Sequence, residues 1–226
     1  MSLDADHLSH NAAPSEELPY VLILFYSRKG ATLAMAEKIA RGINAVSTTL
    51  EARLRTVPPL PTYSDNSIVS SQIHHETVPE SGYPYVTLDD LRHCSGLAMG
   101  SPTRFGNMAA PLKHFLDATS ELWIAADLVD KPAAVFTSTS TLHGGQESTL
   151  LTMALPLIHH GMVWMGHPFT DPNLSQTTTG GTPYGPSHWA GLQSHQTLDS
   201  TEAALCIAMG KRLASLALKM GSSTAQ

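Results

Sequence analysis

The sequence predicts an α/β fold: a doubly wound parallel sheet of five strands, in the order 2-1-3-4-5, with helices on both faces. Two observations predict it. Short apolar runs without charges, such as residues 21–26, are typical of strands that are buried on both faces. Such runs lead into polar loops and then into apolar residues at helical spacing, and strands that alternate with helices pair in parallel.

Composition narrows the class of protein. A formal net charge of −6 over 226 residues offers no basic surface for nucleic acid, and no apolar stretch reaches the length of a membrane span. Residues 1–18 are polar and aperiodic and are expected to form a disordered leader before a single domain over residues 19–220. Cys94 and Cys206 are expected to be buried free thiols, which suits the cytoplasm.

The first predicted strand, 21–26, is followed by a loop and then by a helix with Leu33, Ile39 and Ile43 on one face. The loop is neither a P-loop nor a dinucleotide fingerprint, because the required glycine and lysine spacings are absent. Its hydroxyls and backbone N–H groups at a helix N-terminus can still bind a phosphate, the alternative being an ordinary connection. The candidate phosphate ligands are Ser27, Arg28, Lys29, Gly30, Ala31 and Thr32.

The next predicted strand, 50–57, alternates apolar with charged residues and is expected at an edge of the sheet. Residues 62–84 are too long and aperiodic for an ordinary connection, so they are either a functional flap or a mobile excursion. His74 and His75 lie in this segment without the spacing of a helical metal pair, and no metal site is expected.

A second buried strand, 96–100, follows a short helix that begins at Thr87, and it leads into a second loop. Phe105 offers a flat apolar surface to a ligand ring, unless it belongs to the core. A helix with Leu112 and Leu116 on one face comes next. The candidate ring contacts in this loop are Pro102, Thr103, Arg104 and Phe105, although Arg104 could simply hold its own loop.

The third buried strand, 133–137, leads into a loop of hydroxyls and glycines that can approach a ligand closely. The helix after it begins near Gln146 and ends before Gly161, with Pro156 predicting a kink or an early end. A further strand is expected over residues 162–165. The candidate ligands in this loop are Ser138, Thr139, Ser140, Thr141, Leu142, His143 and Gly144.

The C-terminal part begins with a long Thr/Pro/Gly-rich segment, 166–196, and ends in an amphipathic helix, 199–219. Asp199 or Ser200 is expected to cap this helix. The side predicted to be apolar carries Ala203, Ala204, Ile207, Ala208, Leu213, Leu216 and Ala217.

Ligands of doubly wound sheets bind beyond the carboxyl ends of the strands, where the strand order reverses. All three polar loops follow strands that end at this edge, so they are expected to converge. One loop can receive a phosphate and the other two can flank a flat ring. The convergence therefore predicts flavin mononucleotide (FMN) rather than a dinucleotide.

Four motifs in order, at residues 100–108, 144–147, 159–162 and 180–185, resemble the WrbA-type flavodoxin-like NAD(P)H:quinone oxidoreductases. The resemblance implies a flavodoxin-like fold, bound FMN, NADH or NADPH as electron donor, quinones as acceptors and a homotetramer. It also implies that His160 contacts FMN and that Trp123 faces a substrate slot above the ring. Without the resemblance, His160 could be a structural hydrogen-bonding group at a helix end, and Trp123 could pack between subunits.

The predicted activity is the two-electron reduction of quinones, in which hydride passes from NAD(P)H to the flavin. Both substrates are expected to use one slot in turn, and this requires ping-pong kinetics. A flavodoxin-type one-electron carrier and a non-catalytic flavin-binding regulatory module are the alternatives.

Overall fold

The computed structural model describes residues 18–64, 67–69 and 82–221. Apart from Leu18, the expected leader lies outside the described residues, and so do His74 and His75. The strands are β1 (Tyr20–Phe25), β2 (Glu51–Thr56), β3 (Thr62–Ser64), β4 (Ser67–Val69), β5 (Gly96–Pro102), β6 (Pro132–Thr139), β7 (Val163–Trp164) and β8 (Ser187–Trp189). The helices are α1 (Ala31–Asn44), α2 (Leu88–Arg92), α3 (Ala110–Asp117), α4 (Ser120–Ile124), α5 (Gln146–His159), α6 (Pro172–Gln176) and α7 (Ser200–Gly221).

The main sheet confirms the predicted order. Its strands run β2-β1-β5-β6-β7, every pair is parallel, and β2 lies at the edge as expected. The two strands β3 and β4 form a separate antiparallel pair inside the segment 62–84. The carboxyl ends of β1, β5 and β6 therefore meet at one edge, with the order reversing between β1 and β5.

The fifth position of the sheet is divided between two short strands, and only one of them was predicted. β7 pairs with the beginning of β6, at Pro132 and Ala133, and β8 pairs with its end, at Thr137 to Thr139. The second strand, β8, lies inside the segment 166–196 that the sequence indicated only as a long excursion. It brings the residues after Trp189 to the carboxyl edge of the sheet.

Successive residues of β1 point to opposite faces of the sheet, and each face is covered by helices. Leu22 and Leu24 pack in a cluster with α3 and α5, whereas Val21 and Ile23 pack in a second cluster with α1 and α7. This double coverage explains why β1 is apolar along its whole length.

Helices α1 and α7 approach each other through two glycines. A Cβ added to Gly42 would lie 2.2 Å from the carbonyl oxygen of Ile207, and one added to Gly210 would lie 2.2 Å from that of Ile39. This contact determines which side of α7 is buried, and the predicted buried side was partly wrong. Leu213 and Ala217 are buried as expected, but the rest of the buried face carries Glu202, Leu205, Cys206, Met209, Gly210 and Ala214.

The ends of α5 and α7 follow local chemistry. Asp199 caps α7, since its Oδ1 accepts the backbone N–H of Glu202 at 2.8 Å. Gly161 follows α5 with a positive φ of 79°, as a C′ glycine does. Pro156 does not end α5 early, because it lies in the last turn and its missing N–H removes only one helical hydrogen bond.

Within the described parts of the chain, no helix combines the length and the apolar character that crossing a bilayer requires.

Candidate functional site

The loops after β1, β5 and β6 converge on one cavity of about 260 Å³ at the carboxyl edge of the sheet. Backbone and side-chain hydrogen bonds join the three loops. Thr32 Oγ1 lies 3.2 Å from Ser138 Oγ, and the N–H of Thr103 donates to the carbonyl of Ser138 at 2.9 Å. The cavity is lined by Ser27, Arg28, Lys29, Ala31, Thr32, Pro102, Thr103, Arg104, Ser138, Thr139, Ser140, Ala190, Leu192 and Ser194.

The first loop turns sharply into α1. Gly30 precedes the helix with φ 89°, and no described heavy atom lies within 4 Å of where its Cβ would be. A positive φ is easily adopted only by glycine, so Gly30 shapes the turn rather than filling space. Ser27 Oγ accepts the N–H of Leu33 at 3.3 Å, and Thr32 is only 1 % exposed beneath the cavity.

The donors of this loop suit a phosphate. The N-terminal N–H groups of α1 point out of the helix without intrahelical partners, and the helix dipole favours an anion there. The hydroxyls of Ser27 and Thr32 add donors, and the exposed Arg28 and Lys29 add two positive charges. This donor set fits the phosphate of a mononucleotide.

The second loop presents three of its four candidate ring contacts, Pro102, Thr103 and Arg104, to the cavity. A tight turn closes the loop, since the N–H groups of Arg104 and Asn107 each donate to the other's carbonyl. The guanidinium of Arg104 donates to the carbonyl of Thr103 at 2.7 Å, so it does hold its own loop. Phe105 is fully exposed at φ 54° and is not among the cavity-lining residues, which excludes its placement in the core.

Only the first part of the third loop lines the cavity, through Ser138, Thr139 and Ser140. Thr141 and Leu142 instead line an adjoining groove of about 560 Å³, together with Trp189. His143 and Gly144 line neither space; the N–H of Gly144 donates to the carbonyl of Thr141 in a local turn.

A fourth segment, residues 190–196, completes the cavity and was missed from the sequence; we call it the wall loop. Ala190, Leu192 and Ser194 face the cavity, and Lys29 Nζ lies 3.4 Å from the carbonyl of Gln193. The segment was missed because β8 has only three residues, too few to show a period. The sequence carries one sign of this strand, which is a short run that ends in Trp189 and follows the turn residues Gly185 and Pro186.

Trp123 and His160 lie together in a different groove, of about 430 Å³, where α4 meets the end of α5. The indole N–H of Trp123 donates to the carbonyl of His159 at 2.9 Å, and His160 Nε2 lies 2.9 Å from Thr119 Oγ1. Since α5 begins at Gln146 and its 14 residues rise about 21 Å, this groove is at the far end of α5 from the cavity. One chain alone does not bring these two residues to the cavity.

Burial, and then the neighbouring His159, lower the pKa of His160. The lowered pKa favours a neutral ring at neutral pH. His160 Nδ1 has no hydrogen-bond partner among the described residues. A neutral, half-buried imidazole with one unsatisfied nitrogen is suited to a further polar contact.

Three comparisons with known proteins agree with this geometry. The model of the family described as NADPH-dependent FMN reductase matches residues 21–173. A protein of Syntrophobacter fumaroxidans named NAD(P)H dehydrogenase (quinone) is 41% identical over 202 residues, which are 88% of this chain and 98% of that protein. A protein of the same name from Geotalea daltonii is 40% identical over 88% of this chain and 97% of its own length.

A solved structure of a WrbA-like flavodoxin from Agrobacterium tumefaciens superposes with a TM-score of 0.61. The two sequences are 22% identical, and the match covers 89% of this chain and 99% of that one. A flavodoxin from the domain Archaea gives a TM-score of 0.55 at 19% identity, over 88% of this chain and 99% of that one. These structures confirm the flavodoxin-like fold.

Proposed function

Since the chain belongs to the NADPH-dependent FMN reductase family, we propose that it is an FMN-dependent NAD(P)H:quinone oxidoreductase. The observation that carries the proposal is the convergence of the first, second and third loops on one cavity. Relatives at about 40% identity over nearly their whole length are named NAD(P)H dehydrogenase (quinone), which supports the choice of substrates.

Each loop has a distinct task in the proposed site. The hydroxyls of Ser27 and Thr32 and the start of α1 hold the phosphate, and Arg28 and Lys29 neutralise its charge. Residues 102–104 and 138–140 flank the ring from two sides and fix its orientation. When bound, FMN supplies the redox chemistry, taking a hydride from NAD(P)H and passing two electrons to a quinone.

In the second loop the backbone N–H groups of Thr103 and Arg104 already donate to the carbonyls of Ser138 and Asn107, so they shape the loop that flanks the ring. We assign no residue as an obligatory acid or base. The mechanism therefore predicts that catalysis depends on the position of the ring more than on any single side chain.

We expect the purified protein with added FMN to show a bound-flavin absorption spectrum that NADH or NADPH bleaches and a quinone restores. Initial rates at several quinone concentrations should give parallel lines in double-reciprocal plots, because both substrates use one slot in turn. Intersecting lines would contradict the shared slot. Failure to bind FMN at all would overturn the proposed function.

We further propose that the protein is a homotetramer working in the cytoplasm. The outer face of α5 supports assembly, since Leu151, Leu155 and Ile158 are 40%, 56% and 49% exposed in one helical stripe. The groove with Trp123 and His160 lies at the end of that helix, so a second copy covering the stripe could bring both residues to its own cavity. The buried free thiols of Cys94 and Cys206 support a reducing compartment.

Replacing Leu155 with Glu should split the tetramer into smaller species, because a carboxylate would be buried unpaired in the interface. Light scattering coupled to size-exclusion chromatography measures the mass directly. Leu18→Glu is the matched control, since it makes the same change at an exposed leucine before β1. A mass for the Leu155 variant equal to that of the parent would exclude this face from the interface.

A further inference from the structure

Glu202, in the first turn of α7, is a buried carboxylate that the proposed mechanism does not use. It is 2% exposed. Its Oε1 accepts the backbone N–H groups of Gly180 at 2.9 Å and of Trp189 at 3.0 Å, and its Oε2 accepts that of Asp199 at 3.1 Å. Three backbone donors are therefore aimed at the two oxygens of one side chain.

His188, in β8, is the fourth partner of this carboxylate and is 1% exposed. Its Nδ1 lies 2.7 Å from Glu202 Oε2, and its Nε2 lies 3.1 Å from the carbonyl oxygen of Gln196. Since both neighbours are acceptors, a proton must lie on each side of the ring, one of them between His188 and Glu202. The two side chains therefore form one hydrogen-bonded unit.

This unit holds both ends of the wall loop. Glu202 fixes the backbone of Trp189 at one end, and His188 fixes the carbonyl of Gln196 at the other. The loop is closed between these points, because the N–H of Gln196 donates to the carbonyl of Ala190 at 3.1 Å. Neither Glu202 nor His188 lines the cavity, so any effect on a ligand passes through the loop.

The wall loop is also tied to the third loop of the site. The N–H of Ala190 donates to the carbonyl of Thr139 at 2.8 Å, and the indole N–H of Trp189 donates to the carbonyl of Ser140 at 3.2 Å. Thr139 and Ser140 are cavity-lining residues themselves. Displacing the base of the wall loop would therefore move two walls of the cavity together.

We propose that Glu202 and His188 are positioning residues for FMN: the pair clamps the base of the wall loop and so sets the shape of the cofactor cavity. The inference rests on the proposed function, since it takes FMN as the ligand of this cavity. It predicts that cofactor affinity depends on a side chain that never touches the cofactor.

Glu202→Gln tests the clamp with little change in volume. The amide group replaces one acceptor by a donor, which then faces at least one backbone N–H of Gly180, Trp189 or Asp199. We expect the Kd for FMN, measured by flavin fluorescence on the apo-protein, to rise about tenfold, as for one buried N–H group left without an acceptor. The kcat at saturating FMN should also fall, because Thr139 and Ser140 flank the ring in the proposed site and are tied to the displaced loop.

Asp171→Asn is the matched control. Asp171 also pairs with a buried histidine, His167, at 3.0 Å, and it caps α6, but neither residue lines the cavity. This variant should lower the melting temperature of the apo-protein without changing the Kd for FMN. An equal rise in Kd for both variants would show a general loss of stability and overturn the clamp.

His188→Gln releases only the Gln196 end of the loop and serves if Glu202→Gln fails to fold. We expect a smaller rise in the Kd for FMN, together with faster hydrogen exchange in residues 190–196. Unchanged Kd and exchange would overturn the inference. If the parent protein itself does not bind FMN, the proposed function fails; if the parent binds and the folded variants match it, only the clamp fails.

Discussion

Reversing both charges of the first loop, with Arg28→Glu and Lys29→Glu in one variant, is expected to raise the Kd for FMN by about 100-fold at low salt, which corresponds to about 2.7 kcal/mol. Both side chains line the cavity beside the proposed phosphate site, and both are exposed. A pair of unit charges 4 Å apart interacts by about 1 kcal/mol in water and by about 4 kcal/mol near a protein surface. Reversing two charges beside a phosphate therefore suffices for this loss.

Lys211→Glu with Arg212→Glu is the control, because it reverses an adjacent exposed pair on α7 with the same change in net charge. Isothermal titration with FMN, and separately with riboflavin, which lacks the phosphate, would show whether the lost affinity comes from the phosphate. We expect the loss to be large for FMN and small for riboflavin, and to shrink as salt screens the charges. Equal losses for the two ligands would place the phosphate elsewhere.

The elements that carry the fold were predictable because their local patterns agree with their final environment. β1, β5 and β6 carry no charge and are mainly apolar, with the hydroxyl residues of β5 and β6 near their carboxyl ends. All three lie inside the sheet, and each leads into a polar loop. Because parallel strands of this order end at a common edge, the convergence of the first three loops followed from topology without any knowledge of side-chain contacts.

The wall loop could not be predicted, because its place depends on a partner strand rather than on its own pattern. β8 has three residues and is defined by its pairing with Thr137 to Thr139 of β6. In the sequence, Glu202 is only an acidic residue near the start of an amphipathic helix. Its buried hydrogen bonds to Gly180 and Trp189 are long-range contacts that no local spacing reveals.

The buried face of α7 was mispredicted for a related reason. Small apolar residues occur around most of this helix, so composition alone did not fix its rotation. What fixes it is the close approach of α1, which needs Gly42 and Gly210 at the crossing. A glycine in the middle of a helix destabilises the helix, and here Gly42 and Gly210 lie there because the two helix backbones touch at these positions.

Gly210→Ala is accordingly expected to lower the free energy of unfolding by about 2 kcal/mol or more, although alanine is the better helix former by about 1 kcal/mol. The new Cβ would lie 2.2 Å from the carbonyl oxygen of Ile39, a backbone atom that cannot rotate away. The two helices must therefore separate, which loosens the core face shared by Met209 and Leu213. Urea unfolding followed by circular dichroism measures the change.

Gly221→Ala, at the end of the same helix, is the control for helix propensity. It makes the same substitution without the steric clash, because no described heavy atom lies within 4 Å of its added Cβ. This control should leave stability unchanged or slightly raised. The Gly210 variant should also bind FMN more weakly, since the N-terminus of α1 forms the phosphate site and α1 is the helix that must move. A Gly210 variant as stable as the parent would mean that the crossing relaxes without cost, and that α7 is not what holds α1 in place.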